Sequence, residues 1–135
     1  LNCIKKIVQN NYDSVLILED DAILFDNFLN NFGKYMRCVP SDYDVLFINA
    51  GCNLHAYPTR PGQIWYKVPE TRTCCAYIIT KKACEKLLPN IVPFSHSIDH
   101  ILGKHFHSLN LNVYWCEPNL IGDGSETVYG VSYPK

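Results

Sequence analysis

An apolar run, Ser14-Val15-Leu16-Ile17-Leu18, passes without interruption into Glu19-Asp20-Asp21. β-Branched and leucine-rich residues bounded by polar ones predict a buried strand over residues 14–18. Three adjacent carboxylates at its end repel one another unless water or a cation compensates them. At the carboxyl end of a strand in an open α/β sheet, side chains point into the crevice where ligands of such folds bind. Hard divalent cations such as Mg²⁺ and Mn²⁺ favour carboxylate oxygens, keep several waters and are often completed by substrate phosphates. Glu19, Asp20 and Asp21 are therefore a candidate metal site. An acidic turn held by the local hydrogen bonding of Asp accounts for the same residues without one.

The rest of the chain alternates helices and strands. Leu1, Ile4, Ile7 and Val8 share a helical face that Asn10-Asn11 ends. Phe25, Phe28, Leu29, Phe32, Tyr35 and Met36 follow the i, i+3, i+4, i+7 spacing, which predicts an amphipathic helix whose aromatic stripe covers a sheet. Pro40-Ser41-Asp42 turns the chain into a second strand over residues 44–49, flanked by Ala50-Gly51. Residues 51–72 hold Pro58, Pro61, Gly62 and Pro69 and predict a long loop broken by a short strand at residues 63–68. Loops of that length are usually functional or disordered. Asn53, His55, Tyr57, Arg60 and Trp65 are thus candidate lining for an acceptor or donor pocket, with an ordinary solvated loop as the alternative. Residues 74–79 suit a strand, and Thr80 an N-cap for a helix over 81–88 that Pro89 terminates. Ser97 caps a helix with Ile98, Ile101, Leu102, Phe106 and Leu109 facing inward; residues 112–116 form a last strand, and Gly122-Asp123-Gly124 a turn.

With 135 residues, 47% hydrophobic and 19% charged, the chain can bury one core but not two. A net charge of −1 excludes the basic face that a nucleic-acid binder needs to neutralise phosphates. No apolar run approaches the ~20 residues of a membrane span, and Leu1-Asn2-Cys3-Ile4-Lys5-Lys6 has none of the features of a secretory signal. Leu1 in place of Met fits a fragment or a processed chain. Cysteines at 3, 38, 52, 74, 75, 84 and 116 are odd in number and lack paired spacing, so neither a disulfide framework nor a zinc ribbon is implied. Most are expected as small buried hydrophobes, which favours a reducing, cytoplasmic compartment.

Glu19-Asp20-Asp21 after an apolar strand resembles the acidic signature of GT-A glycosyltransferases, in the variant of their Asp-x-Asp motif written Glu-Asp-Asp. Four segments in order narrow the resemblance to the family 25 glycosyltransferases, which include lipooligosaccharide and collagen hydroxylysine galactosyltransferases. They are residues 16–22, Leu-Ile-Leu-Glu-Asp-Asp-Ala; 43–51, Tyr-Asp-Val-Leu-Phe-Ile-Asn-Ala-Gly; 73–88, from Thr73-Cys74-Cys75-Ala76-Tyr77 to Leu87-Leu88; and 97–102, Ser-Ile-Asp-His-Ile-Leu. Glu117-Pro118-Asn119-Leu120-Ile121 followed by Gly124-Ser125 also fits.

The resemblance implies an α/β, GT-A-like (Rossmann-like) mixed sheet flanked by helices. It implies that residues 1–135 are a single partial domain lacking much of the N-terminal nucleotide-binding half, with an irregular tail from about residue 122. It further implies transfer of a hexose, galactose in the named relatives, from a UDP-sugar to a saccharide or hydroxylysine hydroxyl, with Mn²⁺ or Mg²⁺. Asp21 would hold the metal, Glu19 and Asp20 would orient the ribose or metal-bound waters, and Asp99 would be the general base of an inverting displacement. The Ser-His-Ser that precedes Ile98-Asp99 departs from the family's Pro-Ile-Asp-His-like segment. Asp99 also has a plainer explanation, since a carboxylate in the first turn of a helix is favoured by the macrodipole. The collagen-modifying relatives are lumenal, which leaves the compartment open.

His96, His100, His105 and His107 invite a metal reading, but His96 precedes the cap, which argues against the shared helical face a two-His site needs; most are expected as surface or hydrogen-bonded residues, and His107, a weak candidate for a metal ligand, matches no family position. A phosphotransfer enzyme using the same acids would need a phosphate-cradling glycine loop or a paired Lys, and neither is present. A binding module that keeps the fold without catalysis remains the alternative to a transferase.

Overall fold

The computed structural model describes residues 1–49, 51, 52, 54–93 and 96–125. In chain order the elements are α1 (Asn2–Gln9), β1 (Ser14–Leu18), β2 (Ala22–Leu24), α2 (Phe28–Arg37), β3 (Val45–Phe47) and β4 (Trp65–Lys67), then β5 (Ala76–Thr80), α3 (Lys81–Leu87), α4 (Ile98–Ser108), β6 (Val113–Cys116) and β7 (Ile121–Asp123). Five strands form one mixed sheet in the order β1-β5-β3-β6-β4, and β2 pairs separately with β7. β5 is antiparallel to both β1 and β3, whereas β3 and β6 are parallel. It follows that β1, β3 and β6 all run in one direction and end at the same edge of the sheet. This mixed α/β arrangement is compatible with a Rossmann-like fold.

Period-two alternation sends successive residues of β3 to opposite faces. Val45 and Phe47 join α1, α3 and α4 in one apolar cluster, through Ile4, Ile7, Leu87, Leu102 and Phe106. Leu46 and Ile48 join the opposite cluster, where Tyr35, Phe28, Phe32 and Met36 of α2 cover the sheet. Each helix thus contributes one apolar stripe, and β3, covered on both sides, is buried throughout. Thr80 caps α3 as its residue type predicts, its hydroxyl accepting from the Ala83 N–H at 3.2 Å.

Several expectations are corrected. β1 is an edge strand, not a buried one: Val15, Leu16 and Ile17 are half-buried and Leu18 is 45% exposed. α2 begins at Phe28 behind Asn27, which adopts a left-handed conformation (φ 58°), so Phe25 precedes the helix and Leu29 is 81% exposed. The cause lies just upstream, where residues 22–24 form β2 and the Phe25 N–H donates to the Leu120 carbonyl at 3.2 Å. Residues 121–123 are the partner strand β7 rather than a turn. Trp65 is core, 6% exposed, with its indole N–H donating to the Tyr35 carbonyl at 3.1 Å. Asn53, Ala50 and the tail from residue 126 lie outside the described residues.

One buried cation ties the long loop to the sheet. Arg72 is fully buried, and its guanidinium donates to the Leu54 carbonyl at 2.8 Å, the Cys116 carbonyl at 2.7 Å and Glu117 Oε1 at 2.5 Å. The guanidinium also stacks over Trp115, 5.2 Å from the ring centroid. Glu117 Oε1 accepts in addition from the Ala56 N–H at 2.9 Å. Removing one member of such a pair strands a buried charge, at a cost of about 3–5 kcal/mol. Arg72→Met should therefore lower the unfolding free energy by that order in chemical denaturation, and Arg72→Met combined with Glu117→Met should recover part of the loss. Single and double variants of equal stability would show that the pair contributes nothing.

Candidate functional site

Because β1, β3 and β6 end at one edge, Glu19, Asn49 and Glu117, each following one of these strands, are delivered there together. β5 starts from the same edge, and the Glu19 N–H donates to the Cys75 carbonyl at 2.9 Å. The second sheet closes over it. Register in the β2–β7 pair sets Ala22 opposite Asp123, and the Gly124 N–H donates to the Asp21 carbonyl at 2.8 Å. A Cβ on Gly124 would lie 2.7 Å from that carbonyl oxygen, so the close approach needs glycine.

These pairings bring Asp21, Cys75 and Asp123 together, with a carboxylate oxygen of each Asp and the Cys75 sulfur all within 4.8 Å of one another. Among the described residues this is the one group of three or more His, Cys, Asp or Glu side chains close enough to share a metal ion. Cys75 is fully buried, Asp123 is 7% exposed and Asp21 is half-buried. Asp123 Oδ1 accepts from the Ser125 N–H at 3.0 Å and from its hydroxyl at 2.5 Å. The Asp21 Oδ1 atom is buried with no hydrogen-bond partner among the described residues. A buried carboxylate oxygen without a partner, on an acid grouped with a second carboxylate, is what a bound cation would satisfy, so the residues present fit a divalent ion.

The sequence-predicted residues divide. Asp21 is part of this group. Glu19 and Asp20 are more exposed and outside it. The Glu19 carboxyl is raised above its ordinary 4.5 by partial burial first, and then by the charges of Asp21, Asp123, Asp20 and Asp99. Its residue surface nevertheless remains open to water, which limits the effect. Asp99, 80 positions from Glu19 in sequence, is thereby near enough for the two charges to interact, and both also act on the Cys74 thiol.

The Asp99 carboxyl is held below its ordinary 3.8, chiefly by a hydrogen bond with Ser97 and, against some burial, by the backbone N–H groups at the start of α4 and by His100. Ser97 occupies the N-cap position, but its hydroxyl makes no capping bond to the α4 backbone; it meets His100 Nδ1 at 3.1 Å. The histidines do not assemble into a metal group among the described residues; His96, His100 and His105 line a surface cleft with Lys104. In the long loop, His55 Nδ1 lies 3.3 Å from Glu117 Oε2, Tyr57 is 81% exposed, and Arg60 faces a cleft shared with Gln63 and Glu117.

Sequence reasoning missed Asp123 and Cys75. Asp123, flanked by glycines, has the composition of a turn, and Cys75 sits in an apolar run. None of the seven cysteines is in a disulfide, and burial pushes Cys74, Cys84 and Cys116 up to about 12, as inert core thiols. The available signal was the glycine beside Asp123: Gly124 permits the contact with Asp21.

An acid whose pKa is raised on folding favours the folded state below its unfolded value and loses that contribution as pH rises through the folded value. In the absence of metal, Glu19→Gln should therefore raise the melting temperature slightly at pH 7, within the ~0.5 kcal/mol typical of surface substitutions, with the difference vanishing below about pH 4.5. A lowered melting temperature at pH 7 would contradict the mutual repulsion of these acids.

No family model matches the chain. It is similar to a protein of Acanthamoeba polyphaga mimivirus described as procollagen lysyl hydroxylase and glycosyltransferase, at 23% identity over 158 aligned positions that take in 98% of this chain. The chain spans 17% of that relative's length. The likeness supports a glycosyltransferase-like relationship and goes no finer.

Proposed function

We infer that this chain forms the catalytic edge of a GT-A-type glycosyltransferase related to family 25, moving a hexose from a UDP-sugar to a hydroxyl of a saccharide or of hydroxylysine. Galactose is the donor sugar that the sequence resemblance implies. The observation that carries the reading is the convergence of acids from distant segments at one sheet edge: Asp21 with Asp123, and Glu19 within electrostatic reach of Asp99. The mimivirus relative, whose name includes a glycosyltransferase, supports the same reaction class.

The acids would act in two roles. In a direct displacement, the acceptor oxygen bonds to the anomeric carbon as the bond to the diphosphate breaks, and the electron pair leaves with the diphosphate. Asp99 takes the hydroxyl proton. Held ionised by Ser97 and by the N–H groups of α4, it is a weak base in the ground state and accepts the proton as the forming bond acidifies the hydroxyl. A single displacement of this kind inverts the anomeric centre. Asp21 and Asp123 would hold the cation, and Glu19 and Asp20, at the more exposed rim, would orient the ribose or cation-bound water. When bound, a divalent ion such as Mn²⁺ or Mg²⁺ supplies positive charge against the leaving diphosphate.

Calorimetric titration with UDP and Mn²⁺ tests the reading. Binding that Asp21→Ala weakens at least ~10-fold, the lower end for disturbing a metal site, is expected, with loss of UDP-sugar turnover in any longer polypeptide that contains this chain. No heat at millimolar ligand would favour a binding module that keeps the fold without catalysis.

A further inference from the structure

The group that faces Asp21 is not made of oxygen alone. Cys75 immediately precedes β5, between the end of β1 and the continuation of β3, and its sulfur lies within 4.8 Å of carboxylate oxygens of both Asp21 and Asp123. Its S–H points toward the Gly122 carbonyl at 3.7 Å, in the strand that carries Asp123. The thiol thus lies beside the acidic pair and is fully buried. We propose that Cys75 is a third ligand of the cation, so that the site takes a sulfur-tolerant first-row ion of the Co²⁺ or Zn²⁺ type ahead of Mg²⁺. This rests on the cation reading above and narrows it.

Three observations support it. Two carboxylates, one from the turn between β1 and β2 and one from β7, and one thiol, with ligand atoms mutually within 4.8 Å, form a compact three-sided set. Asp21 carries a buried Oδ1 that has no hydrogen-bond partner among the described residues. Thiolate ligands favour Zn²⁺ and related ions, whereas Mg²⁺ demands near-octahedral oxygen. On binding, the sulfur donates its electron pair to the ion and the thiol proton passes to solvent, so uptake releases one proton from Cys75. Three protein ligands leave coordination positions for water or for diphosphate oxygens.

The test is titration of the reduced chain with Co²⁺, followed by absorption, in a background with the exposed Cys3, Cys38 and Cys52 changed to Ser. A sulfur-to-cobalt charge-transfer band growing to one equivalent is expected. It should be absent in Cys75→Ser, retained in Cys74→Ser, abolished by one equivalent of Zn²⁺ and unaffected by millimolar Mg²⁺. The ¹¹³Cd resonance of the chain without the Cys75 change gives the same answer should Cys75→Ser fail to fold: a sulfur-shifted signal supports ligation and an all-oxygen shift overturns it. Co²⁺ bound at one equivalent with no charge-transfer band, or a band that survives Cys75→Ser, would overturn the thiolate while leaving the carboxylate cation site standing. No uptake of Co²⁺ or Mn²⁺ at all would overturn both.

Discussion

Two carboxylates of like charge, Asp21 and Asp123, face one another within 4.8 Å in a region where one is almost wholly buried. Two carboxyl groups this close are a setting in which a cation between them would be favourable. The backbone nonetheless imposes it. β2 and β7 pair in a register that sets Ala22 against Asp123, and Gly124 lets the chain close onto Asp21. Leu120 and Ile121, both buried, anchor this strand against the α2 side of the sheet, and the Leu120 N–H donates to the Ile48 carbonyl at 2.8 Å. Apolar packing and backbone hydrogen bonds together hold the two carboxyl groups in this contact.

Around that pair the fold gives its other acids different environments. Burial and like charges raise the Glu19 carboxyl, whereas Ser97 and the start of α4 hold Asp99 down. Environments that push carboxyl pKa values apart are how one site assigns different tasks to chemically similar groups. Arg72 stabilises the neighbouring part of the same edge. It fixes Leu54, Cys116 and Glu117 relative to one another, and the Arg72 carbonyl accepts from Asn49 Nδ2 at 2.9 Å, which joins the long loop to the continuation of β3. The edge is therefore rigid on the β6 side and charged on the β1 side.

Much of this was legible in the residues. The limits of β1 follow from the residues, as do the helices of residues 81–87 and 98–108 within a residue or so. These succeed because apolar periodicity, caps and prolines act locally. What local pattern could not give was pairing. Val15 to Ile17 have the composition of a buried strand, yet β1 lies at the edge because sheet order is decided by distant strands. Leu29 falls on the right helical spacing but is exposed, since the left-handed Asn27 sets where α2 begins. Asp123 and Cys75 were missed for the same reason: each joins Asp21 only through strand pairing across the chain.

The most direct measurement is where a cation binds. Crystals of the chain soaked with Co²⁺, which both all-carboxylate and mixed sulfur sites accept, would locate it by anomalous diffraction at the cobalt edge. A single strong peak between the carboxylates of Asp21 and Asp123, beside the Cys75 sulfur, is the expected result. Cobalt bound only elsewhere, with those two carboxylates turned apart, would contradict the account.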